Sequence, residues 1–237
     1  MRRPGRGDRA AERLVGHPTL EVARTLLGWR LVREDPNGRR IGRIVELEAY
    51  IGEEDRASHA RFGRTARNEV MYGPPGRAYV YLVYGMHDCL NIVTEPAGSP
   101  AALLVRAVEP LDGADRMRTA RAQRALIRRR AGSASAQVAP SGPPVTDERL
   151  ASGPGLVCAA FDLDRGLTGH DLFDPTARIR IEPPSSTDPP PVIVAGPRVG
   201  IAFAGAPWTQ VPWRLAIAGS PAVSWPSIEA GTGRRRG

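Results

Sequence analysis

Two glutamates, a tyrosine and a histidine lie close together in the sequence between positions 46 and 59. Glu48 ends a strand-like apolar run, Tyr50 lies two residues further on, and His59 follows a short polar loop. A carboxylate held beside flat side chains can activate water against a bound nucleic-acid base. Glu46 shares a face with Glu48 in a regular strand, so it is either a supporting group or the ion-pair partner of an arginine.

Two other interpretations of the same residues, a surface charge and a metal site, stay open. A glutamate at the end of a strand is usually a solvated surface charge. Alternatively, Glu48, Glu53, Asp55 and His59 would bind a divalent cation, although one histidine with scattered carboxylates is weak evidence for a metal site. Acidic loops of this kind are more often solvated or paired with arginines.

Tyrosines return in a second strand-like block, residues 78–84. Tyr79 and Tyr81 share one face of a strand, and an ordinary β core explains Tyr79 equally well, because aromatic residues favour strands. Tyr84 precedes Gly85, where the strand has to turn, so we expect Tyr84 to be exposed. An exposed tyrosine on a basic surface is suited to wedging into a base stack.

The composition favours a polyanionic partner. The 237 residues carry a net charge of +8, and all 33 of the Lys+Arg residues are arginine. Such a surface binds nucleic acid by neutralising phosphates, although an arginine-rich codon bias explains part of the excess. Because the chain has no lysine, imine chemistry would be left to the N-terminal amine.

The cysteines and the hydropathy indicate an intracellular protein. Cys89 and Cys158 lie in apolar contexts, which predicts buried free thiols rather than a disulfide or a zinc site. No apolar run approaches the length of a membrane span or a signal core, so we expect a cytoplasmic protein with no membrane partner.

Short strands in hairpin order with helices between them favour an α+β domain around an antiparallel sheet. Thr19 is expected to cap a helix that stops at Gly28, and Asn37-Gly38 to supply the positive φ angles of a hairpin turn. A basic helix is expected over 114–130. Flexible segments are expected at the basic N-terminus (1–12), in an insertion at about 131–147, and in the Arg-rich tail (227–237).

Taken together, these motifs resemble the alkyladenine (3-methyladenine) DNA glycosylase family, in order and spacing, from about Thr19 to Ser224. The segments that carry the resemblance are Gly42–Tyr50, Ala57–Ala60, Thr65–Asn68, Met71–Gly76, Tyr79–Met86, Leu90-Asn91, Leu103–Pro110, Gly153–Leu156 and Pro197–Ile201.

The resemblance implies a hydrolase of base excision repair. Such enzymes flip alkylated or deaminated purines (the 3-methyladenine, 7-methylguanine, hypoxanthine and ethenoadenine class) out of double-stranded DNA and hydrolyse the N-glycosidic bond. It also implies a single mixed domain, here 13–226, built on a curved, mainly antiparallel β-sheet with flanking helices, and no metal cofactor. We expect a monomer associated with the bacterial nucleoid.

The resemblance also implies a role for individual residues. Glu48 matches the general base that activates water, and Arg106 matches the arginine that helps to hold that water, a task that the backbone near Val199 shares. Tyr50, His59 and Tyr81 match the side chains that sandwich the flipped base. Asn91 matches a pocket residue that screens the purine edge, and Tyr84 matches the residue that fills the gap in the duplex by intercalation.

Two further expectations follow. Without lysine, the enzyme should be monofunctional and leave an intact abasic strand, and His59 or a water would protonate a neutral leaving base.

The competing class is a non-catalytic basic nucleic-acid-binding protein, which explains the charge and the tyrosines. It does not explain Glu48, because a carboxylate beside the DNA backbone weakens binding.

Overall fold

The computed structural model describes residues 14–130, 145–226 and 228. The segments expected to be flexible, 1–12, about 131–147 and 227–237, lie almost entirely outside the described residues. The strands are β1 (Arg30–Asp35), β2 (Gly38–Ile51), β3 (Ala78–Val83), β4 (His87–Val93), β5 (Ala101–Asp112), β6 (Ile179–Glu182), β7 (Ile193–Gly196) and β8 (Arg214–Ile217). The α-helices are α1 (Thr19–Leu26), α2 (Ala114–Arg130) and α3 (Pro154–Phe161). Short 3-10 helices span His59–Phe62, Glu69–Tyr72, Asp147–Arg149, Arg165–Leu167 and Ala202–Ala204.

Within the described part of the chain, the strands form one sheet of eight with the order β3-β4-β5-β2-β1-β6, and β8 pairs with both β2 and β7. Every pairing is antiparallel. The α+β prediction is therefore confirmed. The long strand β2 is central, because one of its edges pairs with β5 while the other pairs first with β1 and then with β8.

The β1–β2 hairpin forms where the sequence predicted it, but its turn differs. Asp35 and Gly38 are paired, so Pro36 and Asn37 occupy the centre of the turn. Gly38 has a φ of 107°, whereas Asn37 is not among the residues with positive φ. The prediction that Asn37 supplies a positive φ is therefore wrong. A proline second in the turn and a glycine fourth suit a type I turn.

Helix α1 also begins differently from the expectation. Pro18 precedes its first residue and provides no side-chain cap. Thr19 lies inside the helix, where its hydroxyl donates to Glu95 Oε1 at 2.6 Å and is 2.9 Å from the hydroxyl of Thr94. The predicted Thr19 cap is therefore wrong, because its hydroxyl is used to attach the helix to the loop after β4.

The ladder between β2 and β5 is irregular where β2 carries its glutamates. Ile44 lies opposite Val108 and Glu46 opposite Ala107, with register shifts on both sides of Glu46. Irregular pairing bends a strand and redirects its side chains. Here Glu46 and Glu48 both face Arg106 of β5.

Two expectations about composition can be compared with the fold. Cys89 and Cys158 are free and buried, as predicted. Among the described residues, no helix is long and apolar enough to cross a membrane.

Candidate active site

The Glu48 carboxylate is fully buried in the sheet, with both oxygens engaged. Oε1 accepts a hydrogen bond from the Val199 backbone N–H at 2.7 Å, and Oε2 accepts one from the Tyr50 hydroxyl at 2.9 Å. Arg106 Nη1 lies 3.3 Å from Oε1. The carboxylate is therefore held in one orientation from three directions, and the interpretation of Glu48 as a solvated surface charge is wrong.

The pKa of Glu48 is raised above its ordinary value. Burial is the main cause, because it penalises the charged form, and Glu46 adds repulsion. Arg106, the Val199 N–H and the Tyr50 hydroxyl oppose the rise by stabilising the ionised form. A carboxylate whose pKa moves toward neutrality is a better proton acceptor than an ordinary surface glutamate, as general base catalysis requires.

A buried arginine, Arg198, lies against the ring of Tyr50. The Arg198 guanidinium carbon lies 4.8 Å from the centre of the Tyr50 ring and 5.0 Å from that of Trp213. Arg198 forms a two-pronged ion pair with Asp55, at 2.6 and 2.9 Å, and donates to the Ala49 carbonyl. The ring of Tyr50 is thus anchored by a fixed cation, which leaves it available to a ligand in the pocket.

A pocket opens beside Tyr50 and is lined by rings. Its walls include Tyr50, His59, Tyr79, Tyr81 and Asn91, and the cavity between them has a volume of about 20 Å³, so the walls must move apart before a base can enter. The predicted base-binding residues Tyr50, His59, Tyr81 and Asn91 are therefore brought together. Asn91 donates to the carbonyls of Tyr79 and Cys89, which fixes its amide in the wall.

His59 contacts both tyrosines of β3. Its Nδ1 lies 2.8 Å from the Tyr79 hydroxyl, and its ring centre lies 4.3 Å from that of Tyr81 at an interplanar angle of 72°. Asn68 donates to the His59 carbonyl at 2.9 Å, which holds the short helix in place. Because the two rings touch edge to face, they must separate before a purine stacks between them.

The pKa of His59 is lowered to about 4 by burial and by the nearby charges of Arg67 and Arg61. Its ring is therefore neutral near pH 7. This disfavours the hypothesis that His59 protonates a leaving base, and it removes the repulsion that a charged imidazole would exert on a cationic purine.

Arg106 joins the two glutamates of β2. Its Nε donates to Glu46 Oε1 at 2.9 Å, while its Nη1 faces Glu48. Glu46 also accepts from Arg214 and Ser224, so the interpretation of Glu46 as an ion-pair partner of arginine is confirmed.

Tyr84 is at the tip of the β3–β4 hairpin and is 84% exposed, as expected. The Met86 N–H donates to the Val83 carbonyl, and Tyr84 and Gly85 have positive φ values of 50° and 68°. Consecutive positive φ angles are typical of the tight type I′ turn that projects its residues from a sheet.

The loop that suggested a cation site is arranged differently. Asp55 pairs with Arg198, Glu53 accepts from the Tyr72 hydroxyl, and His59 contacts Tyr79. In the part of the chain that the structure describes, no group of three or more His, Cys, Asp or Glu residues is placed to hold a metal ion.

Sequence reasoning gave no role to two residues that shape this site, Arg198 and Ser224. For the acidic loop it left pairing with arginine open beside metal binding, and Asp55 does pair with Arg198. Arg198 lies in one of the segments that carry the family resemblance, and that was the available signal. Tyr79, treated as core, is buried but also bonds to His59.

The chain is similar to known proteins over most of its length. Residues 13–221 match the model of a family described as Methylpurine-DNA glycosylase (MPG). A protein of Methanocella arvoryzae, provisionally named a 3-methyladenine DNA glycosylase, is 46% identical over 209 residues, covering 87% of this chain and 91% of its own. The DNA-3-methyladenine glycosylase of Mus musculus is 42% identical over 209 residues, covering 87% of this chain and 58% of its own. The matched span contains the pocket, Glu48 and Arg106.

Proposed function

This chain belongs to the methylpurine-DNA glycosylase family, and we propose that it removes damaged purines from double-stranded DNA with a water molecule activated by Glu48. It is a DNA repair hydrolase that acts on the N-glycosidic bond. The observation that carries the proposed mechanism is the buried Glu48 carboxylate, oriented by the Val199 N–H and Tyr50 beside a pocket of aromatic rings.

The pocket suits a purine that has left the base stack. Stacking of a base on an aromatic ring is worth about 1–3 kcal/mol, and a cationic base gains further from the faces of the rings. Flipping costs a few kcal/mol and least for damaged or mispaired bases. Tyr50, His59 and Tyr81 together therefore offset extrusion of a lesion, whereas a normal paired purine stays at a disadvantage. The substrates we propose are 3-methyladenine, 7-methylguanine, hypoxanthine and ethenoadenine.

The proposed reaction needs one carboxylate. Glu48 accepts a proton from water, the water oxygen adds to the sugar C1′, and the electron pair of the C1′–N bond passes to the purine. A purine alkylated at N3 or N7 is cationic and leaves as a neutral base, while hypoxanthine takes a proton from water. The ionised Glu48 also stabilises positive charge on the sugar. Because Glu48 is closed to solvent, the attacking water enters when the rings separate to admit the base.

The direct test is an alkaline strand-nicking assay. Duplexes carrying 7-methylguanine, hypoxanthine or 1,N6-ethenoadenine are incubated with the enzyme and then with alkali, which cuts at abasic sites. Excision from at least one lesion duplex, with none from the undamaged duplex, is expected. A chain that binds all of these duplexes but excises no base would be the non-catalytic binding protein instead.

Loss of the Tyr84 ring is expected to impair recognition of duplex DNA. We propose that Tyr84 fills the gap left by the flipped nucleotide, so Tyr84→Ala should lower kcat/KM for a lesion duplex about tenfold or more, the cost of losing one stacked ring. Tyr84→Phe keeps the ring and should retain most of the activity. Since Tyr84 is exposed, thermal melting of both variants should match the wild type. Equal activity of Tyr84→Ala and the wild type would refute the role.

The enzyme is expected to release the base without cutting the strand. Strand cleavage by glycosylases needs an amine that forms an imine with the sugar, and the sequence contains no lysine. Incubation with lesion duplex and sodium borohydride should therefore trap no protein–DNA adduct, whereas a lysine-dependent glycosylase run in parallel should give one. A trapped adduct would overturn this proposal. We also propose that the enzyme acts as a monomer, as expected for a protein that scans duplex DNA.

A further inference from the structure

A second buried carboxylate lies behind the catalytic one. Glu46 is fully buried, and four hydrogen bonds converge on it. Oε1 accepts from Arg106 Nε at 2.9 Å, from Arg214 Nε at 2.6 Å and from the Ser224 hydroxyl at 2.9 Å. Oε2 accepts from the Ser224 backbone N–H at 2.7 Å. A carboxylate that accepts this many hydrogen bonds, two of them from guanidinium groups, is fixed in place.

Glu46 shares Arg106 with Glu48. The Nε edge of the guanidinium donates to Glu46, Nη2 donates to the Ser224 hydroxyl at 3.0 Å, and only Nη1 faces Glu48, at 3.3 Å. The planar guanidinium has a fixed fork of donors, so anchoring two of its nitrogens determines where the third points. The position of Nη1 against Glu48 is therefore set by Glu46 and Ser224.

The charges of this buried cluster are balanced. Glu46 and Glu48 contribute two negative charges, and Arg106 and Arg214 contribute two positive ones. We propose that Glu46 is a positioning residue: it turns Arg106 toward Glu48, and its charge limits how strongly the arginines stabilise the ionised Glu48, which keeps Glu48 a competent proton acceptor. This inference rests on the proposed function of Glu48 as general base.

The groups that act on Glu48 come from several strands. Tyr50 and Glu46 belong to β2 itself, Arg106 to β5 and Tyr81 to β3. From the other edge, β8 places Arg214 opposite Glu48 in the sheet, and the Val199 N–H precedes that strand. Of these groups only Glu46 carries a negative charge. If Glu46 is neutralised, the charges that remain around Glu48 are therefore only the positive charges of the arginines.

The test is the pH dependence of excision by Glu46→Gln. A duplex containing 7-methylguanine is used, because its cationic base leaves without protonation and the acidic limb then reports the general base. Glutamine removes the charge, the arginines favour ionised Glu48 more strongly, and the pKa of Glu48 falls. The acidic midpoint of the single-turnover rate should therefore move down by about one pH unit, the size expected for one charge several ångströms away. The rate above the midpoint should also fall, because the base is weaker.

Three variants separate positioning from mere structural support. Glu46→Asp keeps the charge and should keep the wild-type midpoint. Ser224→Ala removes no charge but loosens the hold on Arg106, whose charge lowers the pKa of Glu48, so the rate should fall without the downward shift of the midpoint expected for Glu46→Gln. Arg214→Gln removes a positive charge and should move the midpoint upward, and this variant decides the question if Glu46→Gln does not fold.

An unchanged midpoint in a folded Glu46→Gln, or shifts of Glu46→Gln and Arg214→Gln in the same direction, would overturn the inference. Failure of the proposed function looks different. In that case the wild type releases no base, or Glu48→Gln remains active, whatever Glu46 does.

Discussion

Glu48→Gln is expected to lower the single-turnover excision rate about a thousandfold while the affinity for lesion duplex changes only a few-fold. Glutamine preserves the size of the side chain: its carbonyl oxygen can still accept from the Val199 N–H, while its NH2 group would face the Tyr50 hydroxyl and donate to it. It cannot take a proton from water or stabilise the positive sugar, and general base catalysis contributes factors of 10² to 10⁴. Excision and gel-shift binding are measured on the same duplex.

A matched control for this variant is Glu54→Gln. Glu54 lies six residues further along the same segment and is exposed, so its loss of charge should leave excision and binding close to the wild type. Glu48→Gln with more than a tenth of the wild-type rate would rule out Glu48 as the general base. Loss of binding together with the rate would instead indicate a damaged pocket.

Asp55→Asn is expected to lower the free energy of unfolding by about 3–5 kcal/mol. Asp55 and Arg198 are both buried and joined by two short bonds, and removal of one partner leaves a buried charge uncompensated. Asp55 also accepts from the Ile51 and Ala57 N–H groups, so the loop after β2 should loosen. Urea unfolding measures the change, and excision should fall because Arg198 no longer supports Tyr50.

The control is a surface pair of the same type. Asp188 pairs with Arg30, and 39% and 30% of their side chains are exposed. Exposed pairs contribute about 0–1 kcal/mol, so Asp188→Asn should barely change the unfolding midpoint. If Asp55→Asn cost no more than Asp188→Asn, Arg198 would have another means of compensation and would not be the support that we assign to it.

Local patterns in the sequence predicted the elements well. The β1–β2 hairpin, strands β3 to β5 and the helix over 114–130 all form where periodicity and turn residues indicate them. The errors are local too. Asn37 does not adopt positive φ and Thr19 does not cap, because Pro36 fixes the turn type and Thr19 bonds to the loop after β4 instead.

The site was predictable only in part. The family resemblance pointed to a set of candidate residues, and the structure places them close together: Glu48, Tyr50, His59, Tyr81, Asn91 and Arg106. The partners that tune them come from far along the chain: Arg198 reaches Asp55 across 143 residues, and Ser224 reaches Glu46 across 178. No local pattern encodes such pairings, because they depend on how β8 and the segments flanking it close against β2.

Which arginines would contact DNA phosphates was not predictable from the sequence, for a related reason. Arg77 faces Asp171, Arg67 lies over the Tyr81 ring, and in α2 Arg118 and Arg124 pair with acidic residues. The sequence shows that these residues are positively charged, but it does not show whether acidic residues of the same chain already pair with them.

The late position of these partners has a consequence for synthesis. A nascent chain that has emerged as far as β5 already contains the rings of the pocket, Glu48 and Arg106. It still lacks the Val199 amide, Arg198, Arg214 and Ser224. The surroundings of the Glu48 carboxylate are therefore completed only when the last strand and the segment after it leave the ribosome, and a product truncated before Arg198 would lack the Val199 N–H that orients this carboxylate.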